Sequence, residues 1–311
     1  MALHRKALPQ LGAELFLTDG GIETDLIFND GADLPLFAAF TLLKTAEGTG
    51  LLRRYFERYA AIATRFGRGF ILESPTWRAS REWGEKLGYD EGALRRANRE
   101  AIALMALVRD GAAAQKPIVI SGCIGPRGDG YDPGALMTIR EAEDYHAFQA
   151  AIFADSEADM IAAVTMTNIA EATGISRAAA AAGMPVAISF TVETDGCLPT
   201  GEPLGDAVME VDFESPVPPA YYMINCAHPT HFEHLLRADE PWLGRLKGLR
   251  VNASKASHAE LNEAPELDAG NPVELAQENA ALRRLLPGLT VLGGCCGTDA
   301  RHIEEMAKAA A

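Results

Sequence analysis

Short, apolar, β-branched runs recur along this chain over 15–18, 70–73, 118–121, 160–165, 186–190, 222–225, 249–251 and 290–292, separated by longer Ala-rich stretches. The longer stretches, over 51–66, 91–113, 139–154, 171–182, 203–211, 230–236, 272–286 and 300–310, carry apolar residues at helical spacing. Apolar runs of strand length that alternate with helices are the pattern of a parallel sheet covered on both faces. Eight such strands close a barrel. The expected architecture is a single (β/α)8 TIM barrel, one domain spanning 1–311. An open doubly wound sheet uses the same alternation, but its usual G-x-G-x-x-G turn is missing, because Thr18-Asp19-Gly20-Gly21-Ile22-Glu23 places the glycines side by side. The Pro-rich Ser215-Pro216-Val217-Pro218-Pro219 runs straight into a strand and reads as a loop, not a domain boundary.

Charge narrows the partners. Lys and Arg number 28 against 43 Asp and Glu, a formal net charge of −15, so nucleic acid and anionic bilayers are repelled. No window approaches the unbroken apolar length of a membrane span, and the amino-terminal MALHRKALPQLGAEL lacks a signal-type apolar run. These features predict a soluble, cytoplasmic protein with small-molecule partners and no nucleic-acid or membrane partner, and they leave a homo-oligomer open. Five cysteines, an odd and low number for this length, argue against a secreted disulfide framework.

Placement makes the cysteines informative. Cys295 and Cys296 follow a strand within Gly293-Gly294-Cys295-Cys296-Gly297-Thr298, and glycines let the backbone turn sharply enough for both thiols to face one ion. The plainer alternative is a pair of small buried residues in a tight turn. Cys226 ends another candidate strand, and all strand carboxyl ends of a barrel share one rim, so it can meet Cys295 and Cys296 there. Three thiolates with one exchangeable position suit Zn2+ and a thiol ligand, since cysteine-only ligation favours thiol chemistry over the water activation of zinc hydrolases. His228 and His231 compete as ligands but fit better as residues opening the next helix; Cys123 and Cys197 read as structural fill. His258, after the seventh strand, is expected in a substrate loop.

Taken together, Leu17-Thr18-Asp19-Gly20-Gly21-Ile22-Glu23-Thr24, Ser121-Gly122-Cys123-Ile124-Gly125-Pro126, Ile188-Ser189-Phe190-Thr191, Asn225-Cys226 and Gly293-Gly294-Cys295-Cys296-Gly297-Thr298 resemble, in order, the zinc-dependent homocysteine S-methyltransferases. The resemblance spans nearly the whole chain, and the Asn-Cys plus Gly-Gly-Cys-Cys-Gly combination is its specific part. It implies a (β/α)8 barrel, Zn2+ on Cys226, Cys295 and Cys296, and methyl transfer from a sulfonium or ammonium donor to a thiol acceptor, homocysteine giving methionine. It further implies that Asp19 and Gly20 shape the amino-acid site, and that Glu73, Thr76, Trp77 and Thr165 line the substrate pocket. Asn225 would orient backbone or substrate, although a strand-end cap needs no function. Trp77 would cover an onium donor, an attraction of about 0.5–2 kcal/mol, or serve ordinary packing. At 311 residues the chain is too short to carry the extra modules of a cobalamin-dependent relative, so no cobalamin is expected within it.

Two positions depart from the family pattern. Val164 stands where many members carry the Glu that holds the homocysteine amino group, and Val251-Asn252-Ala253-Ser254 replaces a Tyr-Pro-Asn pattern. Burying an ammonium without a carboxylate is costly, so either another acid, Glu73 or Glu193, compensates or the acceptor is a different thiol. A zinc- or thiol-binding barrel without methyl transfer is the alternative from another class.

Overall fold

The computed structural model describes residues 1–237, 239–263 and 266–310. Strands β1 (Phe16–Leu17), β2 (Gly69–Glu73), β3 (Ile118–Ile124), β4 (Met160–Met166), β5 (Val186–Phe190), β6 (Tyr221–Asn225), β7 (Leu246–Val251) and β8 (Val291–Gly294) each pair in parallel with their sequence neighbours. Pairing of β1 with β8, Phe16 opposite Val291 and Leu17 opposite Leu292, closes the barrel. The expected TIM barrel is the observed one. Helices α1 (Ile22–Phe28), α2 (Ala46–Arg65), α3 (Arg81–Lys86), α4 (Glu91–Gly111), α5 (Ile139–Ala154), α6 (Ile169–Ala181), α7 (Leu204–Glu214), α8 (Pro229–Phe232), α9 (His258–Glu263), α10 (Pro272–Leu285) and α11 (Ala300–Ala309) connect the strands.

Strand periodicity divides the core in two. Phe16, Ile71, Val119, Met160, Ala162, Val164, Ala187, Tyr221, Met223 and Val291 pack with one another and fill the barrel. Their sequence neighbours, such as Leu17, Phe70, Leu72, Ile120, Ile161 and Leu292, turn outward onto helix residues such as Phe56, Phe153 and Ile303. Side chains on both faces are therefore apolar, which is why these strands read as continuous apolar runs.

The last strand differs from expectation in a way that matters for the site. The sequence predicts strand only to residue 292, because glycine weakens a strand. Gly293 and Gly294 nevertheless belong to β8, and a Cβ on Gly293 would collide with Thr18 Oγ1. Glycine is required there so that β8 can lie against the end of β1. Short helices α1, α3 and α9 lie outside the predicted set, since six or seven residues carry too few turns for a readable period. The predicted helix over 230–236 is split into α8 and a separate 3-10 turn over Leu235–Arg237.

A segment preceding β1 closes the amino-terminal mouth. Leu8 joins the barrel interior, and Thr290 Oγ1 donates to the Gln10 carbonyl oxygen at 2.7 Å. Buried Asp159 accepts from the amides of Leu3 and His4, each at 2.6 Å, and from Ile120 at 2.9 Å. Loss of that carboxylate leaves the buried Ile120 N–H and the part-buried amides of Leu3 and His4 without this partner. Asp159→Ala should lower stability by about 3 kcal/mol in urea denaturation. Metal content should stay intact, because this mouth lies opposite the rim that carries the cysteines.

Candidate metal centre

Cys226 follows β6, and Cys295 with Cys296 follow β8, so the closed barrel places all three on the carboxyl-terminal rim. Their sulfur atoms lie within 4.8 Å of one another. Cys226 Sγ and Cys296 Sγ are 3.9 Å apart. A tetrahedral thiolate set with metal–sulfur bonds of about 2.3 Å spaces its sulfurs about 3.8 Å apart, so this donor set fits one soft divalent ion. Cys226 and Cys295 are joined as a disulfide, with Cα atoms 5.4 Å apart. Metal loading therefore needs this pair reduced to two thiolates. Burial pushes the Cys296 thiol up, the direction that a bound divalent cation reverses.

Close backbone packing builds the centre. Gly21 N–H donates to the Thr298 carbonyl at 3.1 Å, Gly294 N–H donates to the Asp19 carbonyl at 2.9 Å, and Gly297 N–H donates to Thr24 Oγ1 at 3.2 Å. A Cβ on Gly21 would strike the Cys295 carbonyl. The Asp19-Gly20-Gly21 turn thus serves as the wall on which the cysteine turn rests. Cys226 itself has φ 53° and Thr165 φ 66°, both in the left-handed region that β-branched threonine rarely enters. Asn225 holds this conformation: its Oδ1 accepts from Thr165 N–H at 2.9 Å and from Ser189 Oγ at 2.6 Å, and its Nδ2 donates to Thr165 Oγ1 at 2.8 Å.

His228, His231 and His258 each hold backbone. His228 Nδ1 accepts from Thr230 N–H at 3.3 Å and caps α8, and burial pushes its pKa down to about 4. His231 Nε2 lies 3.0 Å from the Lys255 carbonyl oxygen. His258, expected in a substrate loop, follows β7 on the face of the cluster and does not itself line the cavity beside it. His258 is buried, with Nε2 donating to the Cys226 carbonyl at 2.7 Å, Nδ1 3.0 Å from Glu193 Oε1, and its ring stacked on Tyr131 at 4.1 Å. Tyr131 in turn places its hydroxyl 3.3 Å from Cys296 Sγ.

A cavity of about 400 Å³ opens beside the three sulfurs, a size that suits small molecules. Of the predicted residues, Asp19, Gly20, Glu73, Trp77 and Thr165 line it. Thr76 and Asn225 are not among the lining residues. Thr76 is fully buried with Oγ1 donating to the Cys123 carbonyl at 2.7 Å, and Asn225 acts through Thr165. Cys123, read as structural fill, does reach the cavity wall, whereas Cys197 lies away from it.

Arg250 is one cavity residue that sequence reading missed, although a charge inside the apolar run Leu249-Arg250-Val251 was the available signal. Its guanidinium is buried, donates to Asp19 Oδ1 at 2.6 Å, and pairs with Glu73 Oε2. Tyr55 of α2 donates to the other Asp19 oxygen at 3.0 Å. Burial pushes the Asp19 carboxyl up, and Arg250 opposes the shift. Glu23, Arg78, Asp129 and Tyr131 complete the polar wall. Burial raises Glu23 to about 7.

A metal-capable thiol cluster at the mouth of a (β/α)8 barrel, beside a charged cavity, defines the class. The chain belongs to the homocysteine S-methyltransferase family, whose model matches residues 16–310. A methionine synthase of Mycobacterium leprae (strain TN) is 30% identical over 182 residues, which take in 55% of this chain and 14% of that protein. The homocysteine methyltransferase MmuM from Escherichia coli shares the fold. Its metallated form gives a TM-score of 0.72 at 20% identity over 97% of this chain and 98% of that one. Its oxidized form gives 0.74 at 19% identity over 98% and 99%.

Each cysteine of the cluster should be necessary for metal. In reduced protein, elemental analysis should find about one ion per chain, and Cys226→Ala, Cys295→Ala or Cys296→Ala should each lose most of it. Cys123→Ala and Cys197→Ala should retain it. Arg250→Met strands two buried carboxylates, and denaturation should show a loss of about 3–5 kcal/mol.

Proposed function

We propose that this chain is a zinc-dependent S-methyltransferase that moves a methyl group from a sulfonium or ammonium donor to a thiol, with homocysteine as acceptor and methionine as product. The observation that carries this reading is the convergence of Cys226, Cys295 and Cys296 within 4.8 Å beside the cavity. Zinc held by these three thiolates would leave one position for the acceptor sulfur and keep it ionised near neutral pH.

The chain's own residues supply the remainder. Tyr131 and His258 brace the cluster from one side, through Cys296 Sγ and the Cys226 carbonyl. Asn225 and Thr165 brace it from another. The cavity wall carries the carboxylates of Asp19, Glu23, Glu73 and Asp129 against the guanidiniums of Arg78 and Arg250, an excess of negative charge that attracts a cationic donor. Trp77 is fixed by its indole N–H, which donates to the Val164 carbonyl at 3.2 Å. The Arg78 guanidinium covers one side of that ring at 4.8 Å, so an onium would use the opposite face. In the transfer, a bond forms between the acceptor sulfur and the methyl carbon as the donor's bond to that carbon breaks. The donor leaves as a neutral sulfide or amine, and the thiol proton passes to solvent.

Zinc-loaded, reduced protein incubated with homocysteine and, separately, with betaine, S-methylmethionine or S-adenosylmethionine should give methionine by mass spectrometry with at least one donor. Zinc binding with no methylation of any thiol across a panel would overturn the reading and favour a binding protein. For the active donor, Trp77→Leu should raise KM by about 2- to 30-fold while zinc stays bound. An unchanged KM would remove Trp77 from the donor site.

A further inference from the structure

Resting on the methyl-transfer reading above, we infer that Glu23 is the carboxylate that receives the amino group of the thiol acceptor, in place of the acid that Val164 does not provide. Val164 is buried, lines the cavity and leaves the end of β4 with an apolar side chain and a strained Thr165 beside it. An acceptor ammonium seated in this cavity needs a carboxylate from another element.

The wall offers four, and three are committed. Asp19 has one oxygen on Arg250 and the other on Tyr55. Glu73 has Oε2 on Arg250 and Oε1 3.4 Å from Ser121 Oγ. Asp129 pairs with Arg78 at 3.2 Å and accepts from Tyr131 N–H at 2.9 Å. Glu193, the other acid expected to compensate, is turned to His258 and does not line the cavity. Glu23 lines the cavity and, among the described residues, has no ion pair and no hydrogen bond from another residue: its own backbone N–H supports the carboxylate, and Arg78 and Arg250, each paired with another acid, attract it only from a distance. A carboxylate held in the cavity with no cation paired to it, where burial raises its pKa, gains most from an incoming cation.

Position agrees with this role. Glu23 precedes Thr24, whose Oγ1 accepts from Gly297 N–H directly after Cys296, so it stands at the metal corner where the acceptor sulfur would sit. Its charge also bears on the Cys296 and Cys123 thiols. Homocysteine carries its amino group only a short aliphatic chain from sulfur, which suits an acid beside the cluster. The donor, with no requirement for proximity to the cysteines at its far end, is the less suited occupant.

The test compares homocysteine with 4-mercaptobutanoate, the same chain without the amine, in the zinc-loaded full chain with one donor. Glu23→Gln keeps the size of the side chain and removes its charge. We expect kcat/KM for homocysteine to fall by about tenfold or more, and the preference for homocysteine over 4-mercaptobutanoate to collapse by the same factor. Calorimetry should show homocysteine binding weakened to a similar degree, at unchanged zinc content. A wild-type protein with no preference for homocysteine, equal losses for both thiols, or an unaltered homocysteine affinity in Glu23→Gln would overturn the assignment. Should the wild type methylate no thiol at all, the methyl-transfer reading fails by itself, and calorimetry with homocysteine still decides the role of Glu23.

Discussion

Contact between two backbone turns governs this molecule: the turn after β1, Asp19-Gly20-Gly21, and the turn after β8, Cys295 to Thr298. They are the first and last loops of the barrel, and closure of β8 onto β1 brings them together. Main-chain hydrogen bonds from Gly21 to Thr298 and from Gly294 to Asp19 hold them at a spacing that excludes a Cβ at either glycine. The adjacent glycines that deny this chain a dinucleotide-binding turn are thus the ones that let the cysteine turn seat. With Cys295 and Cys296 placed by this contact, Cys226 needs only the shared rim to complete the cluster.

Charge around the cluster is arranged with little slack. Arg250 reaches the cavity from β7 and satisfies Asp19 in the turn after β1 and Glu73 at the end of β2, so one buried cation ties the carboxyl ends of three strands. Such a group contributes little net stability when complete, but removal of one member leaves uncompensated charge where water is scarce. The same logic sets Glu23 apart, since the two guanidiniums of the wall are already taken by its neighbours. Behind the sulfurs, Asn225, Thr165, Tyr131 and His258 immobilise the backbone and side chains that a metal would require, consistent with a site built in advance of its ligands.

Much of this was legible in the chain as written. Eight apolar runs at βα spacing announced the barrel, and the helix over 139–154 has its expected bounds; in the structure a capping box of Thr138 and Glu141 starts it. Strand ends were less legible: Gly293 and Gly294 read as turn because a strand glycine is locally unfavourable, and only the crowding by Thr18 at the first and by Thr298 at the second explains their presence. Asn225 was visible as a neighbour of Cys226, yet its work is on Thr165, which lies 60 positions away. Thr76 looked like a pocket residue by its place in a motif, and its hydroxyl is spent on a buried carbonyl.

Residue order alone determined the alternation, the identity of the thiol donors and the absence of an acid at position 164, because periodicity, residue chemistry and substitution are local properties of the chain. Tertiary structure decided which acids stay unpaired. Asp19, Glu23, Glu73 and Glu193 are equivalent as letters, and they differ only through what the closed barrel sets against each: Arg250 and Tyr55 for the first, a cavity for the second, Arg250 for the third, His258 for the last. Charge pairing acts through space at a few ångströms, between residues as far apart as Asp19 and Arg250, and that separation vanishes only when β8 meets β1 and the rim is complete.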